Sequence, residues 1–309
     1  MKEGAVLQIP ILNNCDVENI INNCKVVGNP MKGGQKLVFP CEISGKKCAA
    51  KFILLFDDND EIDDNKAYII DTIVARAKRE LEIMNAIDSP NVVKLVDPQL
   101  TQLKYKNQNL LLYLEEWIDG VSVDRLIKSG SVSIDETIRL CIDITKAISH
   151  LWGISVVHRD IKPQNIIRKS DGTYVLLDMG LAFDLEDKSL TMFGFVPGTK
   201  MYFSPEQLDI SNKRNIDFRS DLFSLGIVMY QLLTGIHPFY DVGITDKELF
   251  DSICYSQVEK PSIINTDIPL ELSNIVFRLL NKQPSGRYRK CDFLLIELNE
   301  LLNKLEVAI

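Results

Sequence analysis

The chain changes character at Asp119-Gly120, and that change constrains its fold more than any single residue does. Before it, short apolar runs are set off by Gly and Pro: Val26-Val27, Lys36 to Phe39, Cys48 to Leu55 past a turn at Gly45, Val92 to Val96, and Leu110 to Leu114. One helical pattern interrupts them, with Ile69, Ile70, Ile73, Val74, Ala77, Leu81 and Met84 on its apolar face, and it ends before Ser89-Pro90. Beyond the turn the period is helical. Ser133 and Glu136 form a capping box ahead of Ile138, Cys141, Ile142, Ile148 and Trp152, and further helices are expected at about 219–234, 246–255, 270–281 and 291–306. The spacing therefore predicts an α+β chain: a small strand-rich lobe, a connection near 116–120, and a larger helical lobe. A cleft between two such lobes is a usual place for a ligand.

Composition removes several function classes. A formal net charge of −8 and a pI near 5.1 argue against nucleic-acid binding, which needs a basic face. The longest uncharged stretch, Leu222 to Tyr240, contains Gln231, Thr234, Gly235, His237 and Pro238, so it reads as a buried helix and not a membrane span. The first residues lack the pattern of a signal peptide, and Lys2 excludes N-myristoylation. Seven cysteines without metal-site spacing fit reduced thiols in a cytoplasmic protein. Asp57, Asn59 and Glu61 alternate as in a calcium loop, but Ile62 stands where Gly is required and Tyr68 where Glu is, so the segment is read as a solvated loop.

The chemistry is concentrated between His158 and Gly180. His158-Arg159-Asp160-Ile161-Lys162-Pro163-Gln164-Asn165 is followed by Leu176-Leu177-Asp178-Met179-Gly180. In this order and spacing the chain resembles the eukaryotic-type (Hanks-type) serine/threonine protein kinase family, whose template is H-R-D-x-x-x-x-N followed by D-F-G. The resemblance implies a bilobal protein kinase fold over about Val26 to Leu302: residues 1–118 as the nucleotide-binding lobe, 1–25 being an extension, and 119–309 as the catalytic lobe. It implies ATP and Mg²⁺ as cofactors and a protein as substrate. Phosphoryl transfer is mostly positioning and charge neutralisation. The resemblance gives Asp160 the substrate hydroxyl proton, Asn165 and Asp178 the metal, and Lys162 the transferring phosphate. A lysine at 162 is the serine/threonine pattern.

Other segments extend the resemblance. Cys48-Ala49-Ala50-Lys51 is similar to the V-A-x-K strand, which makes Lys51 the cation for the α- and β-phosphates and Glu80 its expected partner, with Glu82 the competitor and a surface Arg76–Glu80 pair the bland reading. Ser204-Pro205-Glu206 stands for A-P-E, with Glu206 expected to pair with Arg287, and Asp221 is expected to brace the catalytic loop. These features separate protein kinases from small-molecule kinases. Adenine is expected between Val38 and Ala49 on one side and Ile167 on the other, hydrogen bonded to backbone near Glu116 and Ile118. Gln207 and the Gly33-Gly34-Gln35-Lys36 segment are similar to bacterial members.

Three departures stand out. Aligning Val38 with the glycine-rich template puts Met31, Gly33 and Lys36 at the glycine positions, leaving Gly33 and the neighbouring Gly34 to approach phosphate. Met179 replaces the Phe of D-F-G, and Glu115 puts a charge at the residue guarding the back pocket, where water or a cation is its expected partner. The degraded glycine loop keeps open a pseudokinase, a fold retained as a scaffold or nucleotide-binding module without turnover. Arg159 implies a phosphate on the activation segment. Thr191 is the expected acceptor, Ser189 the runner-up, and Thr199 a residue that bridges to the base.

Overall fold

The computed structural model describes residues 9–33, 36–130, 132–179, 183–184, 200–208 and 216–307. They form two compact units. One holds the residues up to Ala86 together with Val93–Trp117, and the other holds Ile87–Val92 and the residues from Ile118 onward.

The first unit begins with α1 (Asn14–Ile20), whose Asn13 and Asp16 make a reciprocal capping box. Then come β1 (Cys24–Val26), β2 (Met31–Gly33), β3 (Lys36–Ile43), β4 (Lys46–Asp57), α2 (Asp64–Ala86), β5 (Leu95–Tyr105) and β6 (Gln108–Glu116). The strands form one antiparallel sheet in the order β1-β3-β4-β6-β5, with β2 paired to β3. Alternation gives the sheet two faces. Leu37, Phe39, Cys41, Cys48, Ala50, Phe52, Leu54, Leu110 and Leu112 make a wholly apolar core with Val17 and Ile21, the latter just past α1. Ile53, Leu55, Leu111 and Tyr113 pack instead on Ile73, Ala77 and Leu81 of α2.

The extension ahead of residue 26 is thus part of this unit. Its α1 covers the apolar face, Asp16 accepts from Tyr105 at 3.1 Å and Lys106 at 2.8 Å, and Gln108 is bonded to Ile11. The run Val92 to Val96 is not one strand. Val92 makes a single bridge to Leu176, and β5 starts only at Leu95.

The second unit contains β7 (Gly120–Ser122), α3 (Val123–Ser129), α4 (Ile134–Gly153), β8 (Val156–Val157), β9 (Ile166–Lys169), β10 (Tyr174–Leu176), β11 (Phe183–Asp184), α5 (Pro205–Leu208), α6 (Phe218–Thr234), α7 (Asp246–Tyr255), α8 (Pro261–Ile264), α9 (Leu270–Leu279) and α10 (Cys291–Val307). The capping box at Ser133 starts α4, and Ile138, Cys141, Ile142 and Ile148 are buried on it. Asp217 caps α6, and Gly235 ends it at φ 76°. β7, β9 and β10 form a small sheet, and β8 pairs with β11. Gly120 is required there, because a Cβ would lie 2.3 Å from the Arg168 carbonyl oxygen. Among the described residues no helix is long and apolar enough to cross a membrane.

Candidate active site

The second unit builds its chemistry on the loop between β8 and β9. Asp221, at the buried start of α6, accepts the backbone N–H groups of His158 and Arg159, both at 2.8 Å. This carboxylate is taken out of water, which pushes its pKa up to about 7, while the two N–H bonds pull it down. The bracing leaves Arg159 at φ 67°, a region non-glycine residues rarely occupy, and Asp178 sits at φ 62°. Such backbone persists where surrounding contacts over-determine it, often at functional sites. The Arg159 carbonyl accepts from Gln207 at 3.0 Å.

Asp160 lies at the centre. Lys162 Nζ donates to its carboxylate oxygens at 3.0 and 2.8 Å, and Asn165 Nδ2 donates to its backbone oxygen at 2.9 Å and to Oδ2 at 3.0 Å. Burial pushes the Asp160 carboxyl up to about 6, opposed by the Lys162 ammonium. His158 is buried, its pKa lowered to about 4 by desolvation, with Nε2 against the Leu177 carbonyl at 3.2 Å. It is therefore a neutral brace for the segment carrying Asp178. A turn of 3₁₀ helix, Pro163–Asn165, sets the Asn165 side chain, and the Leu177 N–H returns to the Asn165 carbonyl at 2.8 Å. With its nitrogen spent on Asp160, Asn165 presents Oδ1. That oxygen and the Asp178 carboxylate fit a hard cation that takes one or two protein oxygens and completes its shell with phosphate and water. Among the described residues no group of three or more His, Cys, Asp or Glu side chains is placed to hold a metal ion.

Farther along, Arg287 donates to both oxygens of Glu206 at 2.6 and 3.0 Å, and Ser220 donates to Glu206 at 2.6 Å. This is the pairing expected from sequence, and with Ser220 it ties α5 to the start of α6.

The first unit carries its charges on the face of the sheet that packs on α2. Register places Lys36 opposite Ile53, Val38 opposite Lys51 and Lys51 opposite Tyr113, and Ala49 opposite Glu115. Facing residues of paired strands share a side, so this side carries two lysines and a glutamate, and Glu80 comes from the buried stripe of α2. Lys36 Nζ donates to both Glu80 oxygens at 2.7 and 2.8 Å. Lys51 Nζ donates to Glu115 at 2.6 Å, and Tyr113 Oη donates to Glu80 at 3.0 Å. Both amines also lie over the Tyr113 ring, 5.6 and 5.8 Å from its centroid. Burial pushes the Glu115 carboxyl up, with the Lys51 ammonium pulling it back.

The protein kinase domain model matches residues 32–295. The chain belongs to the protein kinase family. Kinases with curated names are similar over much of it: a probable serine/threonine-protein kinase of Clostridium perfringens is 28% identical over 298 residues, covering 92% of this chain and 40% of the relative. A probable serine/threonine-protein kinase of Clostridium acetobutylicum is 31% identical over 74% of this chain and 34% of the relative. The serine/threonine-protein kinase PknB of Mycolicibacterium smegmatis is 31% identical over 69% and 34%. The chain thus spans about a third to two fifths of the length of these kinases.

Against the kinase template, one expected pair is exchanged. Glu80 meets Lys36, and Lys51 meets Glu115. The cause is local: Lys36 brings an amine to a position where the template has glycine, and Glu115 brings a competing carboxylate. Glu82 is exposed on α2 and pairs with Arg79 at 3.1 Å, which removes it as the competitor, and the burial of Glu80 removes the surface-pair reading. Tyr113 was not singled out in the sequence; alternation along β6 from Glu115 was the signal that would have found it. Val38 is half-buried and Ala49 buried in the first unit, Ile167 lies in β9 of the second, and the Glu116 N–H is bonded to the Lys94 carbonyl at 2.9 Å. Ile118 opens the second unit. Gly33 ends β2 opposite Lys36 with open space around it. Gly34, Thr191, Ser189 and Thr199 lie outside the described residues.

Proposed function

We propose that this chain transfers the γ-phosphate of ATP, with Mg²⁺, to serine or threonine hydroxyls of a protein substrate. The observation that carries the reading is the Asp160 cluster: a buried carboxylate, raised toward neutrality, held by Lys162 and Asn165 on one braced loop. A carboxylate with a pKa near 6 is ionised at neutral pH yet basic enough to take a proton from an attacking hydroxyl. Lys162 can leave Asp160 for the phosphoryl group without exposing the acid, because Asn165 still holds it. Asn165 Oδ1 and Asp178 would hold Mg²⁺, which would neutralise charge on the phosphate oxygens. Lys51 holds the α- and β-phosphates. Val38, Ala49 and Ile167 give apolar contact to adenine, and backbone groups near Glu116 and Ile118 hydrogen-bond it. Gly33 and Gly34 leave backbone open to phosphate.

In this reading residues 1–118 handle nucleotide and 119–309 carry catalysis. The relatives' names support the serine/threonine class, as does Lys162. The seven thiols, none in a disulfide, support a reducing compartment, and we assign the protein to the cytoplasm. The test is incubation with Mg²⁺, γ-labelled ATP and a mixed protein extract beside Asp160→Asn. Protein labelling lost in the variant, with phosphoserine and phosphothreonine found by mass spectrometry, is expected. Nucleotide binding without turnover would reinstate the scaffold reading, and predominant phosphotyrosine would overturn the specificity.

A further inference from the structure

Four charges share the α2-facing side of the first unit's sheet, and their side chains are nearly out of water: Lys36 12% exposed, Glu80 2%, Lys51 9% and Glu115 3%. Two positive and two negative charges cancel there. Burial of an unpaired charge is strongly disfavoured, whereas a matched and hydrogen-bonded set is tolerated. Lys36 stands where the kinase template has a glycine, and Glu115 stands at the residue guarding the back pocket, where a charged side chain is less usual. Each adds one buried charge, of opposite sign. Without Lys36, Glu80 keeps, among the described residues, the Tyr113 hydroxyl, and Lys51 is left with two carboxylates; without Glu115, two amines share one carboxylate.

We infer that Lys36 and Glu115 are a compensating pair of positioning residues, Lys36 holding Glu80 of α2 and Glu115 holding the Lys51 ammonium, so that the phosphate-binding amine is set by two exchanged ion pairs. The role of Lys51 in this rests on the proposed kinase reading; the exchange itself does not. The Tyr113 ring and hydroxyl join the halves, since its ring lies beside both amines and its hydroxyl is on Glu80. The geometry makes a specific demand. Losing either charge is harmful, and losing both lets Lys51 turn to Glu80.

The test uses the full chain with Lys36→Met, Glu115→Leu and the double variant, both substitutions replacing charge by apolar bulk of similar length. Two quantities are read: the thermal midpoint without nucleotide, and the MgATP dissociation constant by calorimetry well below that midpoint. Each single variant is expected to bind MgATP about tenfold more weakly, the scale of one lost charged hydrogen bond. The double variant is expected to recover to within about threefold of the parent, with a midpoint above both singles. The KM for ATP should follow the same order while the KM for the protein substrate stays put. Additive losses in the double variant, or singles that change neither quantity, overturn the inference. If a single variant does not fold, a folded double variant supports it and an unfolded one overturns it. A parent that binds no MgATP sinks the kinase reading, and the order of the midpoints still decides the exchange.

Discussion

Asp160 and Glu115 are both buried carboxylates with a lysine ammonium close by, at 2.8 and 2.6 Å, and burial raises the pKa of each. Their surroundings differ. Lys162 lies two residues from Asp160 and Asn165 five, so one turn of chain closes the cluster, and the Lys162 side chain keeps 19% exposure. Lys51 lies 64 residues from Glu115, and the two meet only because β4 and β6 are neighbours. A locally closed pair with one foot in solvent can open while its acid stays tethered. A pair closed across strands in a dry interior can only trade one buried partner for another. The side-chain cluster around Asp160 is thus closed within its own loop, whose backbone Asp221 and Gln207 brace, and the geometry around Lys51 depends on the whole sheet and α2.

The largest expected effect breaks the local side of this comparison. Asp160→Asn should lower kcat by about 10²–10⁴-fold, the usual weight of a positioned general base, while the thermal midpoint stays near that of the parent because the amide oxygen still accepts from Asn165. Phosphate incorporation under saturating ATP measures it; a rate within tenfold of the parent would remove Asp160 from the role.

Next in size is a contrast in stability. Lys51→Met leaves Glu115 buried without its ammonium and should cost about 3 kcal/mol, whereas Lys162→Met should cost about 1 kcal/mol because Asn165 keeps Asp160 satisfied. Urea unfolding of the two variants gives the numbers. Equal losses would erase the distinction between a strand-closed and a loop-closed pair.

The same contrast decides what could be read from sequence. The cluster Asp160, Lys162, Asn165 was legible because its contacts are a matter of spacing along one loop. Glu206–Arg287 is 81 residues apart and was legible for another reason: both residues stand at the family's positions. Where the chain departs from the family, long-range pairing was not legible. Lys36 at a glycine position and Glu115 at the back pocket each looked like a local oddity, and only the register of β3, β4 and β6 shows that they are one change made twice. Helices α6, α7, α9 and α10 were legible from apolar period and turn residues, within a residue or two of their ends. β5 was legible only at Leu95 and Val96, because the run Asp97 to Tyr105 is largely exposed with little apolar signal, and the strand twice slips register against β6. α1 was overlooked because a short capped helix buries only Asp16 and Val17, with Ile21 just beyond its end.

A third prediction sharpens the comparison through pH. With the Asp160 carboxyl near 6, it must lose its proton to act as base, so kcat/KM should rise as pH increases through about 6. Lys162 favours the ionised form and lowers that pKa. Removing it in Lys162→Met should therefore move the acid limb to higher pH, by about one unit, beyond any loss in rate. Glu115→Gln should leave the limb in place, because the Asp160 carboxylate is held by Lys162 and Asn165 of its own loop. A limb unmoved in Lys162→Met would mean that the titrating group is not Asp160.

The smallest expected effect asks whether the local cluster is tuned from outside. Arg159 has its backbone fixed on both sides, its N–H on Asp221 at 2.8 Å and its carbonyl on Gln207 at 3.0 Å, at a φ of 67°. An arginine whose main chain is so constrained can transmit a pull on its side chain to Asp160, the next residue. We propose that the pull comes from a phosphate on Thr191, which carries about −1.5 to −2 charges and three acceptor oxygens for a guanidinium fork. At up to about 1 kcal/mol for an ordinary ion pair, the expected effect is roughly two- to fivefold in rate. Preincubation with ATP should raise turnover by that factor and put phosphate on Thr191. Thr191→Ala and Arg159→Ala should each remove most of the gain, and Ser189→Ala should leave it. If Ser189→Ala alone removes it, the acceptor is Ser189 and the route through Arg159 stands. If neither Thr191→Ala nor Arg159→Ala changes the preincubated rate, the loop needs no external charge, and its internal contacts from Asp221, Gln207 and Asn165 are enough to hold Asp160 ready.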